Sequence, residues 1–122
     1  MNEIEQEYIK NGCYIVNAVV TAADISTEDG PTVNVTLKMP CGGVVFGGIC
    51  YGTCNEDNTY TGWNKGMTAI LRIMQIAEVE HWNDMVGKPV RAVLKAGKIV
   101  AIGHFLYDNF MDYNRPPFRE NE

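Results

Sequence analysis

The chain lacks the sequence features that mark several classes of protein. No apolar run among its 122 residues approaches the roughly 20 that are needed to cross a bilayer. Its acidic start, with Glu3, Glu5 and Glu7, has neither the basic nor the apolar region of a signal peptide. No Ser-His-Asp, Cys-His or paired-carboxylate arrangement has a local signature. We therefore expect a cytoplasmic protein that does not contact a membrane, has no catalytic residue and is not an enzyme.

Cysteines are few, and their spacing does not suit a metal site. Cys50 and Cys54 are separated by three residues, which is looser than the two-residue knuckle of zinc ribbons, and no second pair follows them. Without an export signal, reduced thiols are the default. The sequence therefore predicts no bound metal, no disulfide and no cofactor.

Positive charge is also scarce. The net charge is -5 and the pI is about 5.0, which argues against general nucleic-acid binding, because a basic surface supplies most of that affinity. One exception is the stretch from Met85 to Phe105, which contains no acidic residue. Its basic residues are Lys88, Arg91, Lys95 and Lys98. Such a basic hairpin could bind a compact anion or the acidic face of another protein.

The remaining composition, 46% hydrophobic and 20% charged, is that of an ordinary globular protein. We expect one domain, because a core of this size cannot be divided into two stable ones. A flexible N-terminal arm is predicted at the start, unless Ile4, Tyr8 and Ile9 pack a short helical turn there. The predicted boundaries are 1–11 for the arm, 12–110 for the domain and 111–122 for a C-terminal tail.

Alternating and β-branched residues indicate five strands. In the clearest of them, Val33, Val35, Leu37 and Met39 alternate with polar residues, so that one face should be buried. The order is three strands, one helix and two strands. This order predicts an α+β fold, either a curled antiparallel sheet or an OB-like five-stranded barrel, with one main α-helix between strands 3 and 4. Periodicity does not separate these two possibilities.

A broad apolar stripe identifies the helix. The stripe consists of Met67, Ile70, Leu71, Met74 and Ala77. We expect the last four of these to be buried against the sheet, and Asn64 to cap the helix N-terminus. On the narrow polar strip opposite, Arg72 is interpreted as a solvated charge.

Three further features bear on binding. Phe46-Gly47-Gly48 leaves backbone amides beside an aromatic ring and could hold a planar or phosphorylated ligand, although a β-bulge is the more ordinary explanation. His104 ends the fifth strand, where a lone histidine is more often structural than a base. Tyr60 and Trp63 border the helix start, and their exposure would suit a protein interface.

Several motifs together resemble a recurrent pattern in small tailed-phage and prophage proteins. They are residues 74–82 (MQIAEVEHW), 87–91 (GKPVR), and 101–104 (AIGH) with Asp108. Upstream, residues 23–26, Gly42-Gly43 and 46–48 fit the same family, so that the match runs from about Gly12 to Phe110. Two departures stand out. Glu78 replaces the usual helix-ending glycine, and Pro89 replaces a residue that could donate to the sheet. The resemblance implies a phage gene and names no activity.

Three functions are compatible with these observations. The first is a phage-encoded binding protein that inhibits a host defence component by stoichiometric binding in the host cytoplasm. Its partner would be a host defence protein, such as a CRISPR effector, or an anionic signalling nucleotide. The second is an OB-like single-stranded nucleic-acid-binding accessory protein of phage DNA metabolism, and the third is a nucleotide-cleaving enzyme. The candidate binding residues are Phe46, Gly47, Gly48, Arg72, Arg91, Lys95, Lys98 and His104.

Overall fold

Two helices and eight strands make up the part of the chain that the structure describes. The computed structural model describes residues 3–28, 30–40 and 42–112. The helices are α1 (Glu3–Lys10) and α2 (Asn64–Ala77), and a short 3-10 turn spans Trp82–Asp84. The strands are β1 (Tyr14–Ser26), β2 (Thr32–Met39), β3 (Gly42–Cys50), β4 (Gly52–Cys54), β5 (Tyr60–Gly62), β6 (Pro89–Lys95), β7 (Lys98–Gly103) and β8 (Phe110–Met111). Within these described residues, no helix has the length and apolar character needed to cross a membrane.

Six of the strands form one antiparallel sheet in the order β3-β2-β1-β6-β7-β8, and β4 and β5 form a separate hairpin. The long strand β1 lies at the centre of the sheet. Its first half pairs with β6 and its second half with β2. The sheet curls into a half-barrel, which brings β3 near β7 without pairing them. The predicted α+β fold with a curled antiparallel sheet is confirmed, and α2 lies between the third and fourth long strands.

Three β-bulges account for the curl, because a bulge bends its strand and increases the local twist. The extra residues are Thr21 in β1, Gly48 in β3 and Val100 in β7. Gly48 therefore confirms the interpretation of Phe46-Gly47-Gly48 as a bulged strand. Gly47 is required for a different reason, since a Cβ at that position would overlap the side chain of Asn34.

The inner face of the curled sheet holds the main core. Val33, Val35, Leu37 and Met39 are each 3% exposed or less, so the alternation predicted for this strand is confirmed. The core also contains residues of the other long strands and of α2. These are Ala18, Val20, Phe46, Ile49, Val90, Ala92, Leu94 and Ile102 from the sheet, with Ala69, Ile73, Ile76 and Ala77 from the helix.

Helix α2 is rotated relative to the prediction. Leu71 is 58% exposed, so its predicted burial is wrong, whereas Ala77 is buried as predicted and Ile70 and Met74 are half-buried. The helix is apolar around most of its circumference, and its small residues decide which side enters the core. Gly66 and Ala69 are both buried, and a Cβ at Gly66 would overlap Tyr51. A helix can approach a sheet most closely along its smallest residues.

The start of α2 also differs from the prediction. Asn64 is the first helical residue and does not cap the helix. Trp63 occupies the cap position in an extended conformation, without a side-chain hydrogen bond to the helix. The free backbone N–H groups of the first turn therefore receive no cap from this side chain.

Helix α1 covers the outer face of β6 and β7. The sequence left open a frayed arm or a helical turn, and residues 3–10 form a helix whose Tyr8 is only 3% exposed. A second apolar cluster lies beneath it, made of Tyr8, Cys13, Val93, Ala101 and Phe110. Val93 alternates with inner residues of β6 and would face water if α1 did not cover it. The sheet is thus covered on both faces at this end, and the predicted tail beyond Asp112 lies outside the described residues.

The rotation of α2 can be tested with two substitutions two residues apart. Ile73 is fully buried, so Ile73→Ala should cost roughly 2–5 kcal/mol of unfolding free energy through lost packing and a new cavity. Leu71→Ala should cost less than about 1 kcal/mol, because exposed positions contribute little. Urea denaturation of both variants measures the difference. Equal losses would place the helix in the orientation that the sequence suggested.

Candidate functional site

The connection between β7 and β8 exposes three consecutive large apolar side chains. Phe105 is 38% exposed, Leu106 72% and Tyr107 65%. We call residues 105–108 the 105–108 loop. Single exposed apolar side chains are normal on a protein surface, but a contiguous group of them marks interaction sites.

His104 holds the backbone of this loop. The residue is 7% exposed, and its Nδ1 accepts the backbone N–H groups of Leu106 at 2.9 Å and Tyr107 at 3.0 Å. An imidazole nitrogen that accepts hydrogen bonds carries no proton, so the ring proton sits on Nε2. Nε2 lies 3.1 Å from a carboxylate oxygen of Glu78, and the ring stacks on Tyr107 with the centroids 4.6 Å apart. His104 is therefore a hydrogen-bond acceptor that fixes two loop residues.

Arg91 fixes the same loop from β6. Its Nε donates to the carbonyl of His104 at 2.7 Å, and its Nη2 donates to the carbonyl of Tyr107 at 2.7 Å. Its Nη1 forms an ion pair with Glu5 of α1. All three guanidinium nitrogens thus have a partner inside the molecule.

The surroundings of Arg91 are partly shielded from water. Burial lowers the pKa of its guanidinium, and the negative charge of Asp108 opposes that lowering. The group stays charged, because an arginine pKa lies far above neutrality. The guanidinium carbon also lies 4.9 Å from the centroid of the Phe110 ring, a favourable cation–π position. Gly103 makes room for that ring, since a Cβ at this position would overlap Phe110.

Arg72 of α2 holds the far end of the connection. Its Nη2 donates to the carbonyl of Phe110 at 2.8 Å and to the side-chain oxygen of Asn109 at 3.4 Å. Two backbone bonds close the connection internally, from His104 N to Asn109 O at 2.8 Å and from Asn109 N to Tyr107 O at 2.9 Å. Arg72 is therefore not the solvated charge that its place on the helix suggested.

Glu78 links the end of α2 to His104. The helix ends at Ala77, and Glu78 adopts the left-handed conformation with φ 57°. Its N–H bonds to the carbonyl of Gln75, and that of Val79 bonds to the carbonyl of Met74, as in a Schellman motif. Glycine is preferred at such a position, and here a side chain is retained that reaches His104. The helix therefore does not run on to Trp82.

The structure brings together three of the predicted site residues, Arg72, Arg91 and His104, around one connection. It does not gather the others into the same site. Phe46 is 5% exposed and belongs to the inner core, and Gly47 lies on β3. Lys95 and Lys98 are exposed and face each other at the turn between β6 and β7. This turn is at the opposite end of β7 from the loop, so the basic hairpin does not form one surface with His104.

Sequence reasoning missed the residues that the site displays. Phe105, Leu106 and Tyr107 were not among the candidate binding residues. One feature of the sequence could have indicated them. Three apolar residues stand directly after the last alternating strand, where the residues of a turn are ordinarily polar. No pattern near Glu5 indicated its ion pair with Arg91, because the two residues are far apart in the sequence.

A second apolar surface lies along α2, and we call it the α2 stripe. Its members are Tyr60 (55% exposed), Trp63 (44%), Met67 (57%) and Leu71 (58%). Trp63, Met67 and Leu71 recur every four positions and so share one side of the helix. Tyr60 and Trp63 are exposed, as the sequence suggested.

Metal-ligating side chains are dispersed in the described part of the chain. No group of three or more His, Cys, Asp and Glu side chains comes together there. Cys13 is buried, and Cys50 and Cys54 are exposed. Cys41 lies outside the described residues.

Comparison of the chain with protein-family models, with curated proteins and with solved structures gives no match. The resemblance to small phage proteins therefore stays a prediction.

The role of His104 can be tested by amide hydrogen exchange. In His104→Ala, the amides of Leu106 and Tyr107 lose their acceptor. We expect them to exchange roughly 3- to 10-fold faster, since a hydrogen bond contributes roughly 0.5–1.5 kcal/mol. Substitution of the other histidine, His81→Ala, which is exposed, is the matched control and should leave both rates unchanged. Equal rates in the two variants would mean that the loop is held without His104.

The strain at Glu78 can be measured separately from its carboxylate. Glu78→Gly and Glu78→Ala both remove the carboxylate, but only alanine keeps a Cβ in the left-handed conformation. The glycine variant should therefore be more stable by roughly 1 kcal/mol, the cost of that conformation for an L-residue. Chemical denaturation of the pair gives the difference, and an alanine variant as stable as the glycine variant would contradict the strain.

Proposed function

We propose that this chain is a stoichiometric binding protein that docks onto a protein partner through the 105–108 loop. The observation that carries the proposal is the contrast within the loop. Its backbone is held by His104 and Arg91, and Arg72 holds the connection just after it, while its apolar side chains face solvent. A loop of this kind has little conformational freedom to lose when a partner covers it.

The shape of the surface around Phe105 supports docking. Two grooves run along its sides, and both include Pro89. One groove is bounded by the end of α2, and the other crosses β1 at Val19. A partner that covers the loop can insert side chains into both grooves, and apolar anchors in such pockets dominate binding energy.

The outer face of the sheet weighs against the nucleic-acid alternative. Strand pairing places Asp24 beside Asn34, Ala22 beside Thr36, and Val19 beside Lys38. Among the six residues of these three pairs, Lys38 is the single cation, and none is aromatic. Single-stranded nucleic acids need a basic groove and aromatic rings on which bases stack. A protein partner therefore suits the surface better.

The enzymatic alternative receives no support from His104. One of its ring nitrogens accepts two backbone N–H groups, and the other faces Glu78. A general base needs a free nitrogen within reach of the proton that it removes. His104 has the partners of a positioning residue.

The identity of the partner rests on the resemblance to phage proteins. On that basis we propose that the partner is a component of a host defence system, and that occupancy of its surface inhibits it. An anionic signalling nucleotide suits the site less well. Arg91 already has internal partners for its three nitrogens, and the displayed loop side chains are apolar.

A pair of identical substitutions tests the proposal. Leu106→Glu places a charge at the centre of the loop, and Leu71→Glu places the same charge on the α2 stripe. Both side chains are mostly exposed, so neither change should unfold the protein. Bacterial hosts that carry defined defence systems would express each variant and then be challenged with phage.

We expect the wild type and Leu71→Glu to suppress one of the defence systems and Leu106→Glu to fail. Co-elution of the chain with the component of that system in gel filtration should follow the same order. Loss of suppression in Leu71→Glu with an active Leu106→Glu would move the docking surface to α2. Turnover of a nucleotide by the purified chain would replace the binding model with an enzyme.

A further inference from the structure

The central strand β1 has an unpaired edge. Residues 14–19 pair with β6, but β2 pairs with β1 only from Val19 onward. Among the residues that the structure describes, the segment Tyr14–Ala18 therefore has a neighbouring strand on one side only. Unpaired strand edges are the places where a further strand can add to a sheet.

The backbone groups on this edge can be assigned from the neighbouring hydrogen bonds. Val20 donates its N–H to Lys88 O at 2.9 Å and accepts from Gly87 N at 2.7 Å, so its polar groups point toward β6. Backbone groups of successive strand residues point to alternate sides. Those of Ile15 and Asn17 therefore point away from β6, to the side that β2 leaves open. In the described part of the chain, no turn or loop backbone group bonds to either of them.

Pro40 explains why β2 stops where it does. Val19 is paired with Lys38, and the next pair on this side would join Asn17 to Pro40. Proline has no N–H to donate, so the ladder ends there. The unpaired edge therefore begins where β2 turns away.

A groove of about 450 Å³ lies at this point of the sheet. It is lined by Asn17, Ala18, Val19, Lys38, Met39, Pro40, Pro89 and Phe105. Of the described residues that line it, all but Asn17 and Lys38 are apolar, and Lys38 alone is charged. Such a groove complements apolar side chains accompanied by one negative charge.

We propose that β1 binds an extended peptide segment by strand addition. The segment would bond to the backbone of Ile15 and Asn17, place apolar side chains in the groove and bring a carboxylate to Lys38. Main-chain bonds supply affinity in this mode of recognition, and the groove supplies selectivity. This site overlaps the surroundings of the 105–108 loop at Phe105 and at the groove across Val19, but it does not include Leu106 or Tyr107.

The test uses a fluorescein-labelled peptide of sequence TVTVTVE, titrated against the full chain and followed by fluorescence anisotropy. Three comparison peptides are used: TVTVTVK with an amidated C-terminus, TVTVTVE with an amidated C-terminus, and TVTVTVE with every backbone amide N-methylated. The N-methylated peptide keeps the side chains but cannot donate to a strand edge. The amidated TVTVTVE distinguishes a side-chain carboxylate from a terminal one.

Lys38→Glu should weaken binding of TVTVTVE by about tenfold or more, since a charge-assisted contact is replaced by repulsion. Lys95→Glu makes the same charge change at the turn between β6 and β7, at the opposite end of β6 from the groove residue Pro89, and should leave binding unchanged. The variant Asn17→Pro removes an edge N–H that no described residue uses, and should also weaken binding. Leu106→Glu should bind TVTVTVE like the wild type even if the loop proves to be the docking surface.

Binding of the N-methylated peptide as tightly as TVTVTVE would overturn strand addition. Equal affinity for TVTVTVK, or an effect of Lys95→Glu as large as that of Lys38→Glu, would overturn the charge selection at Lys38. Absence of binding by all four peptides would remove the site. A negative result with the peptides would not contradict the proposed function. That proposal is tested by the phage challenge with Leu106→Glu, a variant that is expected to bind TVTVTVE normally.

Discussion

A guanidinium group that is largely withdrawn from water must find acceptors in the protein, and Arg91 meets this requirement with segments that are distant in sequence. Its side chain is 11% exposed. Its acceptors are the carboxylate of Glu5 in α1 and two carbonyl groups of the connection that follows β7. Leaving such a charge unpaired would be costly. The position of α1 and the shape of the 105–108 loop therefore both depend on one side chain of β6.

The end of α2 is coupled to the same loop through Glu78 and His104. Glu78 holds a backbone conformation in which glycine would be less strained, and its carboxylate lies beside the Nε2 of His104. A proton on Nε2 leaves Nδ1 free to accept both loop amides. The strained end of α2 and the ordered 105–108 loop are thus linked through the contact between Glu78 and His104. Backbone strain of this kind persists where the surrounding structure over-determines it.

The curl of the sheet distributes these features over the surface. Bulges at Thr21, Gly48 and Val100 bend the strands around the inner core, and β1 connects the two halves of the sheet. The loop and the exposed lysines of β6 and β7 fall at opposite ends of one hairpin. The unpaired edge of β1 lies where the two halves separate. The α2 stripe is therefore a surface apart from the 105–108 loop, whereas the β1 edge meets the loop at Phe105.

The sequence by itself determined the elements whose pattern is local. The alternation from Val33 to Met39 can be satisfied only with one face in a core, and the glycines around Phe46 indicated a bulge. It also identified Arg72, Arg91 and His104 as residues of interest and favoured a structural role for His104, but it did not identify the partners of any of the three. Only the tertiary structure decided which side of α2 is buried, because an apolar helix is seated by the shape of the surface that it meets. The same holds for Arg91, whose partners lie far apart in the chain and become neighbours only when α1 and the loop fold onto β6.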